Sequence, residues 1–180
     1  MHIGHLAIIK HMIEEAGFDM VYLIVSPKNP LKDGISATTG KDRYLAAIEA
    51  VNRHFSLSAS LADSKVKVDD IELNMPEPHY TVRTLKALKN REPANTFTFV
   101  MGADNLADIR RWREYAAILK EFGVAVFPRA GHDLTQIKQD LLNEDPAYKI
   151  QILDAQMVDI SSTQIRNAIA NGDDISNFLM

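Results

Sequence analysis

Cysteine is absent from this 180-residue chain. That absence removes disulfides, thiolate metal sites and thiol nucleophiles together. An excess of one charge is lacking too: 20 Lys and Arg stand against 24 Asp and Glu, for a net charge of −4. No bulk field therefore recruits nucleic acid or an anionic membrane, and an anionic substrate has to be held by local cations and backbone amides. No apolar run approaches the ~20 residues of a bilayer span, and no signal peptide is visible, so the cytoplasm is the expected compartment. Tryptophan occurs once, at Trp112, so any indole chemistry rests on that residue alone.

What is present is the material of an ordinary globular protein. Hydrophobic residues make up 46% and charged residues 24%, enough to bury a core in a chain whose length suits a single domain over residues 1–180. Leu6, Ile9, Ile13 and Ala16 follow helical spacing, and Gly17 supplies a stop. MVYLIVS (Met20–Ser26) reads as a buried strand that runs into the proline-punctuated loop SPKNPLK. Thr39–Arg53 reads as a helix, and Phe55–Leu61 and Val66–Leu73 as extended. Thr81–Lys89 is expected to be helical with Val82, Leu85 and Leu88 on one face. TFTFVMGAD (Thr96–Asp104) is a second buried strand with a glycine turn. A helix over Arg111–Phe122, the strand VAVFPR, a helix over Leu134–Leu142, a short strand Lys149–Leu153 and a helix over Ser162–Ala170 complete the chain. Alternating strands and helices imply βαβ units: an α/β, Rossmann-like parallel sheet with helices on both faces. Ligands of such sheets sit beyond the carboxyl ends of the strands, and SPKNPLK, GADN and the segment before ISST each follow a strand directly.

Each unusual motif has two readings. In DISSTQIR, Ser162 and Thr163 stand where a strand hands over to a helix. They either cap that helix or, with its amides and positive dipole end, hold a phosphate to which Arg166 adds a charged fork. In GADN, Gly102 allows close backbone approach and Asp104 can accept hydrogen bonds from ribose hydroxyls or an adenine amine; an ordinary capped turn has the same residues. Trp112 can stack on a flat heteroaromatic ring or pack against the sheet. The prolines of SPKNPLK stiffen a loop carrying Lys28 and Lys32, which suits phosphate binding or a solvated turn. Tyr80 and Thr81 open a helix and face a site, although capping explains Thr81 equally well. His2 and His5 share one side of a helical turn. They have no well-placed third metal ligand, which leaves phosphate donation at the first helix N-terminus or a terminal pair without a role.

Taken in order, HIGH at a helix start, a proline-bracketed lysine loop, GADN after a strand, a following tryptophan and ISSTxIR resemble the nucleotidyltransferases with an HxGH signature, and most closely the nicotinate-nucleotide adenylyltransferases. The resemblance implies adenylyl transfer from ATP to nicotinate mononucleotide, giving deamido-NAD and pyrophosphate, by in-line alignment and charge neutralisation rather than a covalent nucleophile. It implies that His2, His5 and Arg166 act on the ATP phosphates, and that Gly102, Asp104, Ser162, Thr163 and Arg166 bind the nucleotide. Trp112 would stack on the pyridine ring, with Lys32, Tyr80 and Thr81 as further substrate contacts. Mg²⁺ would arrive with the ATP phosphates, with no protein metal cage. The resemblance further implies a strand and a GGSFDP-like phosphate loop ahead of HxGH and one more helix after the last residues, so the chain is expected to be truncated at both ends, with the first strand of the sheet missing.

Other readings follow from the same motifs. Phosphopantetheine adenylyltransferases share HxGH and a serine-rich helix start, nicotinamide mononucleotide is an alternative acceptor, and a catalytically inactive nucleotide-binding remnant fits the missing phosphate loop. The sequence leaves open whether copies of the chain form a homo-oligomer.

Overall fold

Short runs of Val, Ile, Leu, Tyr and Phe become strands here because β-branched and aromatic side chains fit a pleated, covered surface. The computed structural model describes residues 3–27, 39–55 and 65–155, which fall into two compact units meeting in sequence at Pro76 and Glu77.

The first unit contains α1 (Ile3–Glu14), β1 (Val21–Ile24), α2 (Gly40–Phe55) and β2 (Val66–Asp69). Strands β1 and β2 are parallel, with Val21 opposite Val66 and Ile24 opposite Asp69. Parallel pairing needs a crossover, and α2 supplies it. Ile9, Val51 and Val66, one from each of α1, α2 and β2, form a buried cluster against which Ile13, Val21, Leu23, Phe55 and Val68 pack. Gly17 ends the first helix with φ +76, a left-handed conformation that glycine adopts without penalty. Thr39 caps α2: its Oγ1 accepts from Asp42 N at 3.1 Å while Thr39 N donates to Asp42 Oδ2 at 2.9 Å, a reciprocal capping box. With the Thr39 hydroxyl donating to the same oxygen, these bonds hold the Asp42 carboxyl below its usual range.

The expected extension through Leu73 stops four residues early. After β2 the chain turns into a 3₁₀ helix at Ile71–Asn74, because Asp69 Oδ1 accepts from Ile71 N at 3.0 Å, an Asx turn that competes with the strand.

The second unit contains α3 (Thr81–Arg91), β3 (Phe99–Gly102), α4 (Ala103–Ala107), α5 (Tyr115–Ala117), β4 (Val124–Phe127), α6 (Leu134–Glu144) and β5 (Ile150–Ile152). Its sheet is parallel in the order β3-β4-β5, with Gly102 opposite Phe127 and Val124 opposite Ile150. All four residues of the central β4 are buried, as a continuous apolar run implies for a strand covered on both faces. Val82, Leu85 and Leu88 are buried on one face of α3, and Leu106, Ile109, Ile118, Leu119 and Leu141 complete the core.

The helix expected over Arg111–Phe122 is broken. A 3₁₀ turn at Ile109–Arg111 ends at Trp112, whose φ −81 and ψ 145 are extended. Glu114 is left-handed at φ 52, and only then does α5 begin, widening into a π turn at Ile118–Phe122 closed by Gly123.

The expected segment Phe55–Leu61 differs at its start, since Phe55 ends α2. Residues 56–61 and the helix expected over 162–170 lie outside the described residues. Among the described residues no helix is long and apolar enough to cross a membrane.

Candidate functional site

In parallel sheets the backbone delivers side chains to the carboxyl ends of the strands, where short turns lead into helices. The second unit follows this rule. Gly102 ends β3 and caps α4, and Asp104 lies in the first turn of that helix. One strand over, Arg129 follows β4, and its Nη1 donates to Asp104 Oδ2 at 3.0 Å. Gly102 is extended, with φ −86 and ψ 164, so its use is spatial. A Cβ there would lie 2.7 Å from Asp104 Oδ1, in the space the carboxylate occupies. The Asp104–Arg129 pair thus presents an acceptor and a donor side by side, with about half of each side chain open to solvent, at 46% and 42%. Arg129 was not singled out from the sequence, where it reads as the tail of a strand; a cation two residues beyond a buried strand end was the signal available.

Trp112 is half-buried and stands edge-on to Phe99 of β3, with ring centroids 5.7 Å apart and planes at 68°. Such a pair contributes about 0.5–1.5 kcal/mol beyond burial, so packing against the sheet is part of its role. The flanking residues are tied down. Arg110 Nε donates to Glu144 Oε2 at 2.9 Å, the Tyr115 hydroxyl donates to Glu144 Oε1, and the Tyr148 hydroxyl donates to the same oxygen at 3.1 Å. Lys86 pairs with Glu114 at 2.8 Å. The Tyr115 hydroxyl, then Arg110, hold the Glu144 carboxyl below its usual range. Burial first, then the bond to Glu144, push the Tyr148 phenol well above its usual value. Tyr80 is the exposed residue preceding α3, and Thr81 is the first helical residue. The cap position is therefore occupied by Tyr80, and the capping alternative for Thr81 does not hold.

In the first unit, His5 lies half-buried in the opening turn of α1. The root of the SPKNPLK loop, just past β1, is gripped from two sides. Ser26 Oγ donates to Oε2 of the buried Glu72 at 2.6 Å. Arg43 Nη2 of α2 donates to the carbonyls of Ser26 at 2.7 Å and Pro27 at 2.6 Å. Arg43 and Glu72 were likewise unanticipated; their roles come from pairings across the unit rather than from local pattern. His2, Lys32, Ser162, Thr163 and Arg166 lie outside the described residues.

Among the described residues, no group of three or more histidines and carboxylates is arranged to hold a metal ion. A shallow cleft of about 300 Å³ runs past Thr96, Thr98, Gly123 and Lys149. It opens at the amino ends of β3, β4 and β5, the end of the sheet away from Asp104 and Arg129, so it is not part of this arrangement.

Comparison with known proteins covers nearly the whole chain. The cytidylyltransferase-like family model matches residues 1–168. A protein of Flavobacterium johnsoniae named probable nicotinate-nucleotide adenylyltransferase is 36% identical over 179 residues, covering 99% of this chain and 86% of its own. Its namesake in Flavobacterium psychrophilum is 38% identical with the same coverage. Among solved structures, Plasmodium falciparum nicotinic acid mononucleotide adenylyltransferase complexed with NaAD superposes with a TM-score of 0.71 at 18% identity, over 99% of this chain and 84% of that one. At that identity the likeness is one of fold, and it agrees with the α/β class expected from the alternating strands and helices.

Proposed function

This chain belongs to the nicotinate-nucleotide adenylyltransferase family, and from that premise we propose that it transfers the adenylyl group of Mg·ATP to nicotinate mononucleotide. A phosphate oxygen of the mononucleotide attacks the α-phosphorus of ATP. The bond from that phosphorus to the bridging oxygen breaks, pyrophosphate leaves with the bond's electron pair, and the new anhydride is deamido-NAD. The observation that carries this reading is the alignment over 99% of the chain with relatives that bear this name.

The chemistry asks for alignment and for positive charge where the phosphates meet. We assign that work to His2, His5 and Arg166, with Ser162 and Thr163 supplying a helix N-terminus for phosphate. Support for His5 comes from its place in the opening turn of α1, where the helix dipole already favours an anion. Gly102 and Asp104 are assigned to the nucleoside, and the half-open Asp104 carboxylate suits acceptance of a hydroxyl or amine hydrogen. Trp112 is assigned to the pyridine ring, with Tyr80, Thr81 and Lys32 as further substrate contacts. Mg²⁺ enters bound to the ATP phosphates as part of the substrate. We place the reaction in the cytoplasm.

The test is pyrophosphate release from Mg·ATP, with nicotinate mononucleotide, nicotinamide mononucleotide and phosphopantetheine offered separately to a chain shown by circular dichroism to be folded. Release with nicotinate mononucleotide is expected. Release with one of the other acceptors only would change the substrate, and silence from the folded chain would leave a nucleotide-binding protein without turnover.

A further inference from the structure

The segment carrying Trp112 is fastened at both ends to one carboxylate. Arg110 precedes the tryptophan and Tyr115 follows it, and the two donate to opposite oxygens of Glu144, the last residue of α6. On an unbroken helix, residues five apart point roughly 140° away from each other, at 100° per residue. No single carboxylate receives both from such a helix. The sequence around RRWREY has no glycine or proline to interrupt it, yet the helix is interrupted there. Trp112 is extended and Glu114 is left-handed at φ 52, a conformation that non-glycine residues hold only when their surroundings impose it. The contacts that surround it are visible. Glu144 takes both ends, Tyr148 braces the carboxylate at 3.1 Å, and Lys86 holds Glu114 at 2.8 Å. The product of the break is the placement of the indole, half-buried and edge-on to Phe99.

We propose that Glu144 is a positioning residue: by receiving Arg110 and Tyr115 together it holds open the break that sets Trp112 against Phe99, and so fixes the surface offered to the acceptor's ring. The last clause rests on the assignment of Trp112 to the pyridine; the first does not.

Because the chain has a single tryptophan, its fluorescence reports this placement without any turnover. Glu144→Ala is expected to shift the emission of Trp112 and to raise its quenching by acrylamide about twofold or more. It should also raise KM for nicotinate mononucleotide about tenfold, while KM for ATP and kcat stay within about twofold, the pattern of lost acceptor binding alone. Tyr115→Phe removes one fastening and keeps the ring, so it should move the same quantities in the same direction by less; it also serves if Glu144→Ala fails to fold. Unchanged Trp112 emission and quenching in a folded Glu144→Ala or Tyr115→Phe variant would overturn the proposal, as would a loss shared equally by both substrates. Trp112→Ala separates the two layers. If it leaves KM for nicotinate mononucleotide unaltered while Glu144→Ala still shifts the emission, the stacking assignment fails and the positioning by Glu144 stands.

Discussion

Asp104→Ala is the most informative single change. The carboxylate is half-open, and its one described side-chain partner is Arg129, 3.0 Å away and 42% exposed. A solvent-screened pair of this kind contributes at most about 1 kcal/mol to stability, so the melting temperature should fall by less than about 4 °C in a chain of this size. Binding is a different matter. If Asp104 accepts a hydrogen bond from the nucleoside, its loss removes a charge-assisted interaction of about 1.5–3 kcal/mol, or about 10- to 150-fold in kcat/KM for ATP. Arg129→Ala leaves the acceptor in place and frees only its orientation, so about two- to fivefold is expected. The double variant should then resemble Asp104→Ala, since the arginine has nothing left to orient. Gly102→Ala offers an independent route to the same group. Its φ of −86 tolerates alanine, but the new Cβ would come within 2.7 Å of Asp104 Oδ1 and must push the carboxylate aside, so it should impair ATP use with both charges intact. Steady-state pyrophosphate release at varied ATP, with melting curves alongside, measures all four variants. An Asp104→Ala protein within about twofold of the parent in kcat/KM for ATP would refute the assignment of Asp104 to the nucleotide.

Three further outcomes follow from the packing and electrostatics. Leu119→Ala empties a fully buried site and should cost about 2–5 kcal/mol in a urea titration, with an unchanged KM for ATP in the fraction that stays folded. Gly123→Ala must accommodate φ +81 and a Cβ 2.8 Å from Lys149 Cβ, so it should destabilise by about 1–3 kcal/mol, read from the same titration. The folded state also loses stability in acid through Glu144. Its pKa is lowered below the ordinary 4.5 by the Tyr115 hydroxyl and Arg110. The stabilisation is therefore present above 4.5 and is lost as pH falls through the lower folded value. Glu144→Gln should flatten the urea midpoint against pH in that window, and parallel curves for parent and variant would contradict it.

The strands and most helices were legible because their signals are local. VAVF is apolar throughout and becomes the covered central strand; Val82, Leu85 and Leu88 recur at helical spacing and share a buried face. Gly17 ends its helix in the conformation glycine favours. Where the reading missed, a side-chain partner decided the outcome, distant in two places and near in a third. RRWREYAAILKEF has a helical pattern, and it breaks because Glu144, some thirty positions on, claims two of its residues. Arg129 reads as the tail of a strand until the parallel register brings it beside Asp104. Ile71 departs from the strand for a nearer reason, the Asp69 side chain that captures its amide. Of the site, GAD was legible as a turn after a buried strand, whereas the partner that orients its carboxylate depends on which strands lie side by side.

The register of β3 and β4 has a consequence of its own. Gly102 stands opposite Phe127 in the parallel ladder, so the span from Asp104 to Arg129 is metered by that ladder rather than by the fit of side chains around it. A slip of one residue would move one partner by about 3.3 Å and turn it to the other face, so the spacing changes in whole steps or not at all. Substitutions in the surrounding helices can therefore erode the stability of this unit while leaving the spacing of its charged pair as it was, up to the point where the unit unfolds.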